Sequence, residues 1–263
     1  MRDREQLEAL IKTFEVKDSS DDRAGAKNVG LIGGDIGRVI KDLPPLLAAE
    51  NVVDTFRNPE SVQGFVELAK QVSTVRLEIG SARGTFALAM GEKHPNELFL
   101  ASEVRGAHCK AILSKRDRRG LKNLHVMLGD VRIQLPGLLS NGPIMDEIYI
   151  LFPDPWWKKK HWKRRLFQPG FLEFLATALK PGGTLILKTD VEPYREEVER
   201  LGRECKLYEQ WPEDKTKDFL EEMPHTRREK ELSEANLGIY GLIFTRLDKP
   251  TPISSTNQDS ETS

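Results

Sequence analysis

Between residues 75 and 188 the chain repeats one pattern: a short apolar run, a glycine, acid or proline at its end, then an amphipathic stretch. Val75–Ile79 (VRLEI) stops at Gly80, and residues 84–93 then carry Phe86, Ala87, Leu88 and Met90 at helical spacing. Leu98–Ala101 is followed by Arg105–Arg119, with Ala107, Ala111 and Ile112 on its apolar side. Leu124–Leu128 is the third run. Glu147–Phe152 (EIYILF) is the fourth, with a helix predicted over Phe171–Leu179. Thr184–Lys188 (TLILK) is the fifth, after the turn Pro181-Gly182-Gly183. Short apolar runs alternating with amphipathic stretches predict βαβ units: an α/β fold with a mostly parallel sheet and helices on both faces. Such a sheet binds ligands at the carboxyl ends of its strands. The residues that close each run are therefore the candidates for chemistry.

The flanks differ in kind. Leu7, Leu10, Ile11 and Phe14 predict a short N-terminal helix, and residues 17–36, rich in Ser, Asp and Gly, read as a linker. Pro250–Ser263 has Ile253 as its one large aliphatic residue and reads as a disordered tail. The expected organisation is an N-terminal helical and linker extension over 1–70, a catalytic-type domain over 71–249 and the tail over 250–263. With 263 residues the chain suits one large α/β domain or two small ones. Its two cysteines, Cys109 and Cys205, cannot build a disulfide framework or a Cys-rich zinc site. The histidines show no metal-ligand spacing, so no metal is expected. No secretory signal follows Met1, and no apolar run approaches the ~18 residues of a membrane span. A cytoplasmic protein away from membranes, monomer or homodimer, is the expectation.

The first run ends in Glu78-Ile79-Gly80-Ser81-Ala82-Arg83-Gly84, directly before a helix. Gly80 and Gly84 let the backbone turn tightly and let a ligand approach it. Glu103 closes the next run, 19 residues after Gly84, the spacing at which an acid holds the ribose hydroxyls of a nucleoside cofactor. Asp130 follows the third run, where a carboxylate can reach an adenine amino group. Together these ends predict a nucleoside-cofactor pocket. NAD fits that much. The loop is not the GxGxxG that a pyrophosphate needs, and Glu78 would repel one, whereas it would attract the ammonium or sulfonium of S-adenosyl-L-methionine.

The fourth run ends in Phe152-Pro153-Asp154-Pro155-Trp156. The prolines stiffen the turn, so an acid and an aromatic ring are held with little entropy cost, an arrangement suited to a planar base. Residues 158–165 (KKKHWKRR) then hold six cations, with Trp156, Trp157 and Trp162 in or beside the run. Phosphate attraction combined with stacking favours nucleic acid. The other reading is a proline-rich turn followed by a solvated basic face.

With these residues in view, the chain resembles the bacterial tRNA (guanine-N7-)-methyltransferases. The resemblance rests on Glu78–Gly84, Phe152–Arg165, Thr189–Tyr194 (TDVEPY) and Thr226–Glu229 (TRRE), and spans roughly residues 75–247. It implies a Rossmann-like class I methyltransferase fold of seven strands, the last, near Gly238–Arg246, antiparallel. It implies that Glu78, Gly80, Gly84, Glu103, Asp130 and Asp154 line an S-adenosyl-L-methionine site, with Asp154 catalytic. It implies that Lys158, Asp190, Thr226, Arg227, Arg228 and Glu229 contact tRNA, and that N7 of guanine-46 in the variable loop is methylated. On its own, Thr226-x-x-Glu229 reads as a helix-capping box. The chain departs from the family at Ala82, where a middle glycine is common, and before the first strand, which lacks the usual arginine-rich stretch. A class I methyltransferase for another RNA, or a non-catalytic RNA-binding protein on the same fold, remain the alternatives.

The formal net charge of −1 hides a segregation. Residues 105–122 carry seven Lys/Arg against one Asp, and residues 191–234 carry fourteen acids against nine bases. Nucleic-acid affinity follows the local field, so salt-sensitive RNA binding is expected at residues 105–122 and 158–165.

Overall fold

A computed structural model describes residues 52–55, 58–139, 142–156, 165–168 and 170–248. The predicted N-terminal helix, the linker, Lys158 with the rest of residues 157–164, and the tail lie outside the described residues. Eight strands form one sheet: β1 (Val52–Val53), β2 (Val75–Ile79), β3 (Leu98–Glu103), β4 (Leu124–Leu128), β5 (Met145–Leu151), β6 (Leu179–Thr189), β7 (Tyr208–Gln210) and β8 (Tyr240–Arg246). Their order is β1-β4-β3-β2-β5-β6-β8-β7. The helices are α1 (Pro59–Ala69), α2 (Thr85–Lys93), α3 (Gly106–Arg118), α4 (Val131–Leu138), α5 (Phe171–Ala178), α6 (Glu192–Glu204), α7 (Glu213–Glu221) and α8 (Arg227–Glu234). The five predicted apolar runs are β2 to β6. The strand beyond the predicted seven is β1, whose two residues pair with Val126 and Met127 of β4. Two residues are too few to register as an apolar run.

Residues 52–55 and 58–69, assigned from the sequence to the N-terminal extension, pack onto the sheet. Asn58 caps α1 by accepting from the Ser61 N–H at 3.1 Å, and Pro59 starts the first turn, where its missing N–H costs nothing. Phe65, Val66 and Ala69 of α1 are buried in the larger of two core clusters.

Every residue of β2, β3 and β4 is buried, as expected of parallel strands covered on both faces. Leu77, Leu100, Ile148 and Leu187 pack in the cluster that includes α1, α4, α5 and α6. Phe99, Val126, Tyr149 and Ile186 pack in the one that includes α2 and α3. Each such side chain contributes about 1.5–3 kcal/mol. The residues of the predicted turn Pro181-Gly182-Gly183 fall inside β6, as a bulge between the register pairs Met145–Leu179 and Glu147–Thr184. The predicted antiparallel last strand is β8, paired with β6 from Thr184–Thr245 to Thr189–Tyr240.

The sheet grows from β2 to β3 and β4 on one side, then resumes with β5 on the other side of β2. The crevice outside the carboxyl ends of β2 and β5 is the switch point where such sheets bind ligands. Among the described residues, no helix is long and apolar enough to cross a membrane.

Candidate cofactor and nucleic-acid site

Glu78 is the penultimate residue of β2 and is 4% exposed. Its Oε2 has no hydrogen-bond partner among the described residues. Burial, reinforced by the neighbouring Glu103 carboxylate, pushes its pKa up to about 7. Ser81 and the Ala87 backbone offset part of that cost, but a buried carboxylate oxygen without a partner remains costly unless a cation or donor meets it. The loop above it turns through Gly80 (φ +84°) and Gly84 (φ +74°). At Gly84 a Cβ would stand 2.7 Å from Cγ1 of Ile112, so only glycine lets α2 start this close to α3. Between them Ala82 also takes a left-handed φ, +46°. The negative φ that would make alanine harmless there is not adopted.

Glu103 ends β3 and is 7% exposed. One carboxylate oxygen accepts from the Ala82 N–H at 2.8 Å and the other from the Arg105 N–H at 2.9 Å. The acid thus ties the glycine loop to its own strand end, and each oxygen keeps a lone pair for a hydroxyl donor. Val104, directly after it, is an uncovered apolar side chain, 61% exposed.

Asp130 is the N-cap of α4, accepting from the Arg132 N–H at 2.9 Å, and its Oδ2 pairs with Arg132 Nη2 at 2.7 Å. Its carboxylate is therefore already engaged by Arg132, a partner that the sequence reading did not include.

Asp154 is exposed, in the turn after β5. The turn is bracketed by two non-glycine residues at positive φ, Phe152 (+54°) and Trp156 (+42°). Such backbone persists only where the surroundings hold it. Here the Phe152 N–H donates to the Lys188 carbonyl at 2.7 Å, and Arg165 Nε donates to the Pro155 carbonyl at 2.8 Å. Arg165 was counted among the six cations facing nucleic acid. It instead points inward, its side chain 13% exposed and paired with Glu197 of α6.

On the far side of the crevice, Asp190 follows β6 and pairs with Arg228. Thr226 and Glu229 form a reciprocal capping box at the start of α8, as the spacing allowed. Glu229 is 4% exposed and accepts from Lys188 Nζ at 2.6 Å. Burial alone would raise its pKa, but Lys188 and the Thr226 donors outweigh it and the pKa is lowered. Arg227 is exposed and pairs with Glu231 on its own helix. Lys188, buried at 3%, was missed by sequence reading. The usable signal is a lysine directly after the apolar run Leu185–Leu187, still within the predicted strand.

Of the cations on 105–122, Arg116 is buried, donating to the Leu124 carbonyl and pairing with Asp117, and Arg119 pairs with Glu92. Arg105, Lys110, Arg118 and Lys122 are exposed. Both cysteines are free and buried, with burial pushing Cys109 up to about 12 and Cys205 to about 11. Among the described residues no group of three or more His, Cys, Asp or Glu could hold a metal.

Comparison with known proteins agrees with this architecture. A family described as "Putative methyltransferase" matches residues 72–242. A tRNA (guanine-N(7)-)-methyltransferase of Synechocystis is 40% identical over 125 residues, spanning 47% of this chain and 59% of that one. The protein of the same description in Synechococcus elongatus is 33% identical over 215 residues, covering 80% of this chain and 96% of its own. Among solved structures, the 16S rRNA methyltransferase KamB superposes with a TM-score of 0.51 at 18% identity, covering 70% of this chain and 93% of that one, a likeness of fold. The family match spans well over half of the chain and the S. elongatus protein is covered almost end to end, and on these matches the chain belongs to the bacterial tRNA (guanine-N7-)-methyltransferase family.

Proposed function

We propose that this protein is an S-adenosyl-L-methionine-dependent tRNA (guanine-N7-)-methyltransferase acting on guanine-46 of the variable loop. The observation that carries the reading is the pairing of two neighbouring strand ends. The buried carboxylate of Glu78, one oxygen of which has no partner among the described residues, lies one residue before the end of β2, and the strained turn that exposes Asp154 follows β5. Glu78 fits the cationic methionine end of the cofactor, and the free lone pairs of Glu103 fit its ribose diol. Asp130 would meet the adenine amino group only by sharing its carboxylate with Arg132. When bound, S-adenosyl-L-methionine supplies an electrophilic sulfonium methyl group.

The protein's own part is positioning and charge. Guanine N7 carries an in-plane lone pair and no proton at neutral pH, so no general base is needed. Asp154 accepts hydrogen bonds from the Watson–Crick N–H groups of guanine and offsets positive charge on the methylated ring. A base inside folded tRNA must be exposed or turned out to reach it. Asp190 holds the base or its ribose and Lys158 the phosphates, with exposed Arg227 and the exposed cations of α3 as further phosphate-facing groups, while Thr226 and buried Glu229 set the start of α8 beside them.

Nucleoside mass spectrometry of tRNA from cells with and without the gene tests this. Loss of 7-methylguanosine at position 46 is the expected result, and unchanged levels defeat the assignment. Asp154→Ala should keep tRNA affinity within about threefold while losing most methyl transfer. Normal turnover in that variant would sink the role given to Asp154. Failure to bind the cofactor at all would favour a non-catalytic RNA-binding protein.

A further inference from the structure

We infer that Arg165 is a positioning residue for Asp154, acting through the backbone of the turn, and not a contact to RNA. The inference rests on the role proposed for Asp154. Pro153 and Pro155 supply no N–H, so the Phe152–Trp156 turn has few backbone donors of its own. Both of its flanking residues sit at positive φ, so the geometry at Asp154 depends on contacts from elsewhere. The Lys188 carbonyl holds the entry to the turn and Arg165 Nε holds the exit, at the carbonyl of the residue next to Asp154.

Arg165 is in turn fixed by α6. Its Nη1 pairs with Glu197 and its guanidinium carbon lies 5.6 Å from the centre of the Tyr194 ring. Tyr194 is buried at 2%, and Val198, one turn further along α6, is fully buried. The chain of contact runs from the core through α6 to the guanidinium and then to the Pro155 carbonyl. Lysine cannot replace it, since a single ammonium lacks the planar fork that serves a carbonyl and a carboxylate together. A cavity of about 340 Å³ lies against this clamp, lined in part by Pro155, Arg165, Tyr194 and Glu197. That space gives the turn room to relax when the clamp is lost. A cation placed for phosphate would be exposed, and this one is 13% exposed.

The test compares Arg165→Lys and Glu197→Gln with wild type for kcat, tRNA Kd at several salt concentrations, and amide exchange across residues 152–156. In Arg165→Lys, kcat should fall about 10- to 100-fold, while tRNA Kd stays within about twofold with an unchanged salt slope. Glu197→Gln should shift the same quantities in the same direction by less, and it carries the test if Arg165→Lys does not fold. Added to Asp154→Ala, Arg165→Lys should cause no further loss of turnover, because both changes act on one group. Exchange in the turn should rise in both variants. Retained kcat, a shallower salt slope with weaker tRNA binding, or losses that multiply in the double variant would each overturn the inference. If wild type itself transfers no methyl to tRNA, the functional reading fails, and turn exchange alone then decides the clamp: unchanged exchange overturns it.

Discussion

Glu78 and Glu229 are the same residue type at the same burial, each 4% exposed, on opposite sides of one crevice. They are in opposite electrostatic states. Glu78 keeps an oxygen with no partner and has its pKa raised to about 7 by burial. Glu229 accepts from Lys188, from the Thr226 backbone and lies within reach of His225, and has its pKa lowered in spite of its burial. Burial therefore does not decide whether a carboxylate is costly; its partners do. The glycine-loop half of the site keeps one buried carboxylate oxygen with no partner among the described residues. The α8 half has been neutralised by the protein, with Asp190 held by Arg228 as well. On the reading proposed above, one side would receive a cation, and the other is held by ion pairs within the protein.

The largest effect expected from this contrast is at Lys188. Lys188→Met leaves Glu229 buried and unpaired, which costs about 3–5 kcal/mol. Urea unfolding at pH 8 should show that loss, and Lys188→Met/Glu229→Leu should recover most of it. The lowered pKa of Glu229 gives stability present above the ordinary carboxylate pKa and lost as pH falls below it. The single variant should therefore approach wild type in acid. Equal stability of Lys188→Met and wild type at pH 8 would break the comparison.

Glu78→Gln should do the opposite. A raised carboxylate pKa gives stability that is full below the unfolded value of 4.5 and is lost as pH rises through about 7. Removing the charge should stabilise the protein by on the order of 3 kcal/mol at pH 8 and leave it unchanged at pH 4. S-adenosyl-L-methionine binding by calorimetry should weaken in the same variant. A gain in stability together with a loss of affinity is the signature of a charge kept for a ligand. Destabilisation at pH 8 would mean that the hydrogen bonds Glu78 accepts from Ser81 and the Ala87 backbone outweigh the cost of its buried charge.

What could be read from the sequence follows the same division. The strands β2 to β6 were legible because each is a short apolar run with a glycine, acid or proline near its end. That Glu78, Glu103, Asp130 and Asp154 lie at the carboxyl ends of the strands was legible because each stands at the end of an apolar run. Helix α6 was not, because EPYREEVERLGRE shows few apolar residues among its charges. The partners were not legible either. Lys188 meets Glu229 from 41 residues away, and Arg165 meets Glu197 from 32. A run of cations in sequence gives no sign of which member will turn inward, since that is decided by the helix that packs beneath it.

The smallest effect is expected within the receptive half, at Ala82. Its φ of +46° places an L-residue in the left-handed region, which costs about 1–2 kcal/mol where glycine pays almost nothing. Glycine also loses more chain entropy on folding, which offsets part of that gain. The net stabilisation of Ala82→Gly should be about 0.5–1 kcal/mol, read as a small rise in Tm. The Ala82 N–H is donated to Glu103 whatever the side chain, so the tie between the loop and β3 should survive, and the methyl itself is on an exposed residue. Cofactor affinity should then rise modestly or stay level. A fall in affinity would show that the strained alanine holds the loop open over Glu78, and that this half of the site is as pre-set as the other.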